Sequence, residues 1–522
     1  MLQEIALPSL LTSSALVAGT TSLAGILSWR WWQRRNAYQA LNSVPSPPKH
    51  WLLGNIPQLL AAVKRKQYFQ LLFDWSKQLG PIYVYWRSNT PILVLSKPKA
   101  IEDTIINGMK DGSLIRAKRV CAAWNDLSGS ILLGETGTEW QWRRKAWNPE
   151  FSASGISKYT EVILQACTQV TDRLKAATPS EEVQVDPLFV ELTMGVIACL
   201  MLGIPVDQKI PSPEGPPLDI QKVYKAMSVL GYRFLRIATG EKQWKKYLPT
   251  KYSRDYWSAR RYLEEFLTPR IDLALQLREN QQMDLEQISP LFQESMLVKI
   301  AAKESKYNRE ALISEAIELL IAGTDTTAHT LSFTVGELAL NPRVFQQAQS
   351  LVDQVWESHG EINLESLKEL NYIRAIVKET LRLYSVASGS TSLEATRDTV
   401  IEGIKVPQGT KVFWSMLSAG RDPETYPQPE AFLPERWLEG EKINSSIPMI
   451  DFGSGYHRCL GENLAMLEST IMLAQLLRYF NWELVNGHSS LENLQQNLLI
   501  YPSDGMPVRF QLRTGLIPIT ND

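Results

Sequence analysis

The chain has 522 residues, of which 44% are hydrophobic and 21% are charged, and its formal net charge is −1. This composition is typical of a globular protein with a large core, and the balanced charge argues against nucleic acid as a partner. Cys121, Cys167, Cys199 and Cys459 lie far apart, which argues against a small disulfide scaffold and favours a reducing compartment. The histidines show no zinc-binding spacing, so we expect any metal to arrive within a cofactor.

The chain begins with an apolar segment. No charged residue occurs from Ile5 to Trp29, a length that suffices for a transmembrane helix of about 20 residues. Glu4 precedes this run and three arginines closely follow it, so the positive-inside rule places the rest of the chain in the cytoplasm. A cleaved signal peptide would carry its basic residues first, and a buried soluble helix is the weaker alternative. We therefore predict a single-pass membrane anchor in residues 1–43 and one folded domain in residues 44–522.

Short strands and amphipathic helices are predicted after this anchor. Residues 44–49 contain three prolines and form a stiff extended spacer. Two β-rich runs, Ile82 to Trp86 and Ile92 to Ser96, are separated by a polar turn and predict a hairpin. Most of the chain from there to about residue 385 has helical periodicity, interrupted by a proline-rich loop at residues 211–217 that could be a mobile cover.

A long buried helix is predicted from Ala311 to Leu340, ending before a proline. Residues 322–327 in its middle are poor helix formers, and the threonine hydroxyls can bond the carbonyls of the preceding turn. We expect the helix to open locally there. The gap would be lined by an acid, Asp325, and an alcohol, Thr326, and it could hold a small molecule and pass protons to it. The alternative is a kinked core helix in which the aspartate is satisfied.

A glycine-rich loop near the C-terminus carries one cysteine to the start of a helix. The loop runs from Phe452 to Gly461, and apolar residues at helical spacing follow it. Cys459 should therefore lie beside a helix N-terminus, where free N–H groups and the helix dipole favour a thiolate. Gly455 and Gly461 lack a Cβ, so the backbone can lie against a flat group. These features favour an iron ligand over a buried structural cysteine.

The cysteine loop and the long helix together resemble the cytochrome P450 family. Its haem pattern, F-x-x-G-x-[RH]-x-C-x-G, matches from Phe452 to Gly461, and its oxygen-groove pattern, [AG]-G-x-[DE]-T-T, matches from Ala322 and Gly323 onward. The resemblance covers roughly residues 45–510. It implies a mainly α-helical fold with small β-sheets (α+β), built as a single large haem domain. It also implies haem b as cofactor, with Cys459 as the axial ligand of the haem iron.

The same resemblance assigns a structural network below the haem. Glu379 and Arg382 match the family's E-x-x-R motif, and Arg436 matches the later arginine that completes the network. Residues three apart do meet on one face of a helix. The motif is weak alone, because Glu394 and Arg397 satisfy it too; chain order favours the first pair. The proline that often follows this motif in the family is absent here.

Three further residues are expected to bind the haem propionates. Trp140 and Arg144 resemble the family's W-x-x-x-R, although residues 31/35 and 257/261 have the same spacing. His457 occupies the slot that holds arginine or histidine in the family and would bind the other propionate. The next strand after the E-x-x-R helix offers no clear arginine for this purpose. Arg143, Arg144 and Lys145 could also form a basic docking site for an acidic redox partner, although a short cationic run is more often simply solvated surface.

The activity implied is that of a haem-thiolate monooxygenase that hydroxylates or epoxidises a lipophilic small molecule. Thr326 would deliver protons to oxygen while Asp325 relays them inward. Electrons from NAD(P)H would come through a separate partner, either a P450 reductase or a ferredoxin system. The resemblance implies the endoplasmic reticulum if the source is eukaryotic. The alternatives are an O2-independent isomerase or dehydratase of the same family, and a non-catalytic haem-binding protein.

Overall fold

A computed structural model shows the architecture. It describes residues 36–177, 180–206, 211–279, 285–387, 392–438 and 450–514, with a few single positions before residue 36. The predicted membrane anchor, residues 1–43, lies largely outside the described residues.

Eighteen α-helices account for most of the described chain. In chain order these are α1 Ile56–Lys64, α2 Tyr68–Leu79, α3 Pro98–Lys110, α4 Lys118–Ser128, α5 Gly137–Phe151, α6 Ala153–Ser157, α7 Thr160–Ala176, α8 Val185–Leu202, α9 Ile220–Thr239, α10 Lys251–Arg278, α11 Pro290–Gln293, α12 Met296–Lys303, α13 Arg309–Leu340, α14 Pro342–His359, α15 Asn371–Tyr384, α16 Met416–Ala419, α17 Glu462–Tyr479 and α18 Ser489–Glu492.

Twelve short strands form four small sheets in the same part of the chain. In chain order these are β1 Ile82–Arg87, β2 Thr90–Leu95, β3 Leu114–Arg116, β4 Val183–Gln184, β5 Leu393–Ala395, β6 Thr399–Ile401, β7 Ile404–Val406, β8 Lys411–Trp414, β9 Phe480–Leu484, β10 Leu494–Gln496, β11 Ile500–Pro502 and β12 Pro507–Leu512. The largest sheet has the order β1-β2-β8-β5-β3, and the others are β4-β12-β9, β10-β11 and β6-β7. The predicted hairpin is confirmed, since β1 and β2 pair antiparallel with Ile82 opposite Leu95.

The helix α13 crosses the centre of the core. Its N-cap is Asn308, whose side chain accepts a hydrogen bond from the Ala311 N–H, and it ends where Pro342 begins the next helix. This agrees with the predicted helix to within two residues. The expected local opening was wrong, because residues 322–327 are α-helical throughout. The threonine hydroxyls bond carbonyls four residues back in addition to the helical ladder, and they do not replace it.

The helix α8 packs along α13 and is almost entirely apolar. Within the described part of the chain it alone is long and apolar enough to cross a membrane, yet 89% of it is buried in the protein. A helix that is apolar on all sides and enclosed by other helices belongs to a protein core. The helix α8 is therefore a core helix that packs against α13.

The proline-rich loop is held against α10. Arg270 donates a hydrogen bond to the carbonyl of Pro216, and the buried Glu214 accepts one from the Ser289 N–H. No residue from 211 to 217 lines the internal cavity described below. A cover over that cavity is therefore not provided by the described residues of this loop.

Candidate active site

The loop before α17 holds Cys459 at the floor of an internal cavity. The Cys459 N–H donates to the carbonyl of Phe452 at 2.7 Å, which closes the loop. Gly453 and Gly455 have φ angles of +74° and +64°, a conformation that residues with a Cβ rarely adopt. The sulfur lies beside the Gly461 N–H at the N-cap of α17. The predicted placement at a helix N-terminus is confirmed, with the helix beginning at Glu462.

Two opposing effects act on the thiol of Cys459. Desolvation by the surrounding protein raises its pKa. The Gly461 N–H and the positive charges of Arg144 and Arg458 lower it. The side chain is nevertheless accessible, because it faces the cavity. A positive metal placed at the sulfur would favour the thiolate, so the donor suits an iron ligand.

The cavity joins this loop to the middle of α13. It has about 1870 Å³ of space free of protein atoms, including its opening to solvent. Cys459 lines one part of it, and Ala322, Gly323 and Thr326 line another. Most of the remaining wall is apolar, and it includes Trp124, Leu132, Phe151, Ile197, Leu319 and Leu499. An apolar space of this kind suits a flat macrocycle together with a lipophilic ligand.

One side of the cavity carries two arginines that form no ion pair within the described structure. Arg116 is buried, donates only to the carbonyls of Leu132, Leu133 and Glu135, and its pKa is lowered to about 10 by burial. Arg144, which also lines the cavity, donates to a carbonyl oxygen. Two guanidinium groups in a desolvated site favour an anionic ligand. The site therefore fits the propionates of haem.

Trp140 and His457 lie on this same side. Their rings are 4.2 Å apart between centroids. The Nδ1 atom of His457 is buried and has no hydrogen-bond partner within the described structure. Burial, followed by the charges of Arg116 and Arg144, lowers the pKa of His457 to about 3, so the ring is neutral. An uncharged ring N–H can donate to a carboxylate, as expected for a second propionate ligand.

The acid and the alcohol of α13 face different sides of the helix. Thr326 lines the cavity, and its Oγ1 donates to the carbonyl of Ala322 at 2.8 Å. Asp325 does not line the cavity, and its Oδ1 has no hydrogen-bond partner among the described residues. Gly323 allows close packing, since a Cβ there would lie 2.9 Å from Ile197. We predicted a gap lined by both side chains, but of the two only Thr326 lines the cavity.

The E-x-x-R pair forms a buried network at the end of α15. Arg382 donates to both carboxylate oxygens of Glu379, at 2.9 and 2.7 Å, and Arg436 donates to Oε1 at 3.2 Å. The side chains of Glu379 and Arg382 are 0% exposed, so this is not an ordinary surface ion pair. Glu394 and Arg397, which match the same motif, pair instead with Lys411 and Asp111 respectively.

The missing proline after this motif has a structural replacement. Ser385 ends α15 with a φ angle of +39°, and its hydroxyl donates to Asp451 at 2.8 Å. Asp451 lies next to Phe452 in the cysteine loop, and burial raises its pKa to about 7. A serine and an acid therefore connect the E-x-x-R helix to the loop that holds Cys459.

Arg143 cannot belong to the docking site considered from the sequence. Its side chain is buried and forms an ion pair with Glu315 at 2.6 Å, so it cannot contact a partner protein. Arg144 faces the cavity, which leaves only Lys145 exposed. Helical periodicity alone did not reveal this, because α5 has charged residues on several faces.

Sequence reasoning missed Arg116 and Glu318. Arg116 ends the three-residue strand β3, and no motif marks it. Glu318 lines the cavity from α13, and its Oε1 accepts a hydrogen bond from the Leu133 N–H at 2.8 Å. The sequence offered one signal for Glu318, which is a charged residue within the apolar stretch that precedes residue 322. Gly455 was expected at the site but does not line the cavity; it lies against Ile106.

Comparison with known proteins decides the family. The family model described as cytochrome P450 matches residues 44–509. The chain belongs to the cytochrome P450 family. Cytochrome P450 4V2 of Rattus norvegicus is 25% identical over 517 residues, which cover 96% of this chain and 95% of the relative. Cytochrome P450 71B26 of Arabidopsis thaliana is 25% identical over 464 residues, 85% of this chain and 87% of the relative.

A third relative is more similar over a shorter stretch. Cytochrome P450 71A1 of Persea americana is 38% identical over 179 residues, 34% of this chain and 36% of the relative. Membership in the family confirms the predicted mainly helical fold with small sheets. It also identifies the protein as a haem-thiolate monooxygenase that uses haem b, O2 and electrons derived from NAD(P)H. Members generally need a redox partner and bind lipophilic substrates.

Proposed function

We propose that Cys459 binds the haem iron of this P450 and that the enzyme hydroxylates or epoxidises a lipophilic small molecule in the adjoining cavity. The observation that carries the proposal is that Cys459 and Thr326 line the same largely apolar space. The substrate would occupy the part of the cavity next to Thr326. The wall around the substrate would consist of Trp124, of Val386 and Ala387 in the turn after α15, and of Leu498 and Leu499.

The chain's own residues would hold the cofactor and supply protons. When bound, haem with a thiolate ligand provides oxygen activation, because the thiolate pushes electron density that favours O–O cleavage. Arg116, Arg144, Trp140 and His457 would bind the propionates. Thr326 would hold a water or donate its hydroxyl proton toward oxygen, and Asp325 would replenish that proton from the opposite side of the helix.

The described surface agrees with a membrane-bound enzyme. Trp51, Leu52 and Leu53, directly after the proline-rich spacer, are 72%, 40% and 41% exposed. Exposed apolar side chains next to a membrane anchor suit contact with lipid. The proposal is therefore a single-pass anchor in residues 1–43, a haem domain in residues 44–522 that faces the cytoplasm, and the endoplasmic reticulum if the source is eukaryotic. A separate P450 reductase or ferredoxin system would deliver the electrons.

Carbon monoxide binding tests the iron ligand. The purified, reduced protein should show the red-shifted Soret band that gives the family its name. Cys459→Ser should abolish this band, whereas the matched control Cys121→Ser, a substitution at a cysteine outside the cavity, should retain it. A Cys459→Ser protein that keeps the band would contradict the assignment.

Turnover separates the monooxygenase from its alternatives. A lipophilic ligand that displaces water from the iron shifts the Soret band, so a panel of sterols, terpenoids and fatty acids identifies a substrate class. Product should then require NADPH, O2 and an added reductase. Product formation without NADPH would favour an isomerase or dehydratase, and ligand binding with no product under any of these conditions would favour a non-catalytic haem protein.

A further inference from the structure

A buried polar cluster lies behind Asp325, on the side of α13 that faces away from the cavity. It consists of Asp186 on α8 with Asp325, His329 and Ser332 on α13, and is called here the acid–histidine cluster. His329 Nδ1 lies 2.8 Å from Asp186 Oδ1, and the Ser332 hydroxyl donates to the same oxygen at 2.8 Å. Two interactions on one oxygen fix the ring of His329 at one turn from Asp325.

Asp325 has an oxygen available to this cluster. Its Oδ1 is shielded from solvent and has no hydrogen-bond partner within the described structure. A buried carboxylate oxygen without a partner is costly, so such an atom points to a mobile proton or water. Thr326 is the next residue and faces the cavity. Because consecutive residues of an α-helix are about 100° apart, the pair can connect the two sides of α13.

The charges in the cluster suit a proton relay near neutral pH. Burial raises the pKa of Asp325 to about 6, although the charge of His329 opposes the shift. The pKa of His329 is also raised, since the attraction and hydrogen bond of Asp186 outweigh the effect of burial. The raised pKa lets Asp325 take up and release a proton closer to neutral pH than an ordinary carboxyl group does, and His329, one turn away, is placed to return that proton.

Two tyrosines complete the surroundings of these groups. Tyr224, on α9, faces Asp325, and burial followed by the charge of that carboxylate raises its pKa. The ring of Tyr501, on β11, lies 5.8 Å from that of His329. The exposed Lys66 donates to the Tyr501 hydroxyl at 2.9 Å. Tyr501 and Lys66 therefore connect the surroundings of His329 to the protein surface, where solvent can supply protons.

We propose that His329, held by Asp186, returns a proton to Asp325 after each transfer through Thr326 to the cavity. This rests on the roles proposed above for Asp325 and Thr326. Hydroxylation follows RH + O2 + 2 e⁻ + 2 H⁺ → ROH + H2O, and the unproductive branch follows O2 + 2 e⁻ + 2 H⁺ → H2O2. Both branches consume protons. A slower proton supply to the cavity therefore lowers the rate of NADPH oxidation.

The test compares His329→Gln and Asp186→Asn with the wild-type protein. The matched control is His359→Gln, since His359 forms a similar pair with Glu369 at 2.8 Å but lies at the C-terminal end of α14 rather than in the acid–histidine cluster. NADPH oxidation, peroxide and product are measured with dodecanoic acid as the probe, across a range of pH. Reductase is added until the rate no longer rises, so that electron supply does not limit turnover.

We expect His329→Gln to slow NADPH oxidation about 100-fold, the low end for proton transfer by a positioned side chain. The wild-type rate should fall as pH rises through the pKa of His329, and this limb should vanish in His329→Gln. In Asp186→Asn the limb should move to lower pH, because the carboxylate no longer stabilises the imidazolium.

A second readout does not depend on turnover. With ¹³C-labelled histidine, the signal absent from His329→Gln identifies His329, and its midpoint should lie above the usual value and fall in Asp186→Asn. An unchanged rate and pH profile in His329→Gln, with a normal carbon monoxide band, would overturn the relay. A His329 midpoint that Asp186→Asn leaves in place would overturn the role of Asp186. Absence of the band in the wild type would instead refute the haem site.

Discussion

Replacing Glu379 with alanine should destabilise the domain through the buried network of α15. The carboxylate accepts hydrogen bonds from two arginines, from the Trp437 indole at 2.9 Å and from the Leu433 N–H at 2.9 Å. Removing it leaves the guanidinium of Arg382, which is 0% exposed, without a counter-charge. The remaining partners of Arg382 are carbonyl oxygens of the following loop.

Breaking a buried ion pair by removing one partner costs about 3–5 kcal/mol. An unfolding entropy of roughly 2 cal/mol/K per residue gives about 1 kcal/mol/K for a domain of this length, so the midpoint of thermal unfolding should fall by about 3–5 °C. The loop that holds Arg436 and Trp437 should also loosen, because both donate to the deleted carboxylate. Haem content should therefore decrease together with stability.

The assay is circular dichroism at one fixed heating rate, with the haem-to-protein ratio measured on the same samples. Asp103→Ala is the matched control, since it removes a carboxylate paired with the exposed Lys99 at 2.9 Å. Such a surface pair contributes about 0.3–0.5 kcal/mol, so its midpoint should not move measurably. Equal shifts in the two variants would show that burial of the Glu379 network is not what stabilises the fold.

Three other substitutions test the cavity and the core. Thr326→Ala should retain the carbon monoxide band but divert electrons to peroxide; unchanged coupling of NADPH use to product would contradict its role. Arg116→Gln should weaken haem retention, measured as haem transfer to apomyoglobin, and a transfer rate equal to wild type would exclude propionate binding. Burial raises the pKa of Glu468 to about 8. Below the pKa of about 4.3 in the unfolded chain, the carboxyl group is protonated in both states and the fold keeps its full stability. As pH rises toward 8, the unfolded state loses this proton first, so the free energy of unfolding falls. Glu468→Gln should therefore be more stable than wild type at pH 8 by a few kcal/mol. A variant with the wild-type dependence of stability on pH would contradict this.

Local patterns predicted the elements that carry the chemistry. The hairpin of β1 and β2, the bounds of α13 and the start of α17 after Cys459 all follow from periodicity, turn residues and glycine positions. These signals depend on only a few neighbouring residues, so they can be interpreted without knowledge of the fold. The prediction of a local opening in α13 was wrong because packing against α8 and the other core helices outweighs the weak helix propensity of residues 322–327.

Both motifs are contiguous, so the sequence was enough to single out the cysteine proposed to bind the iron and the helix that lines the same cavity. Which side of α13 each side chain faces, and which charged groups meet, follows from the packing of distant segments. Arg143 pairs with Glu315 across 172 residues, and His329 pairs with Asp186 across 143. Such partners are brought together by the burial of apolar helix faces, so no local pattern records them. These pairings place Arg143, a residue considered for docking, in the core, and they place a histidine behind the predicted proton donor.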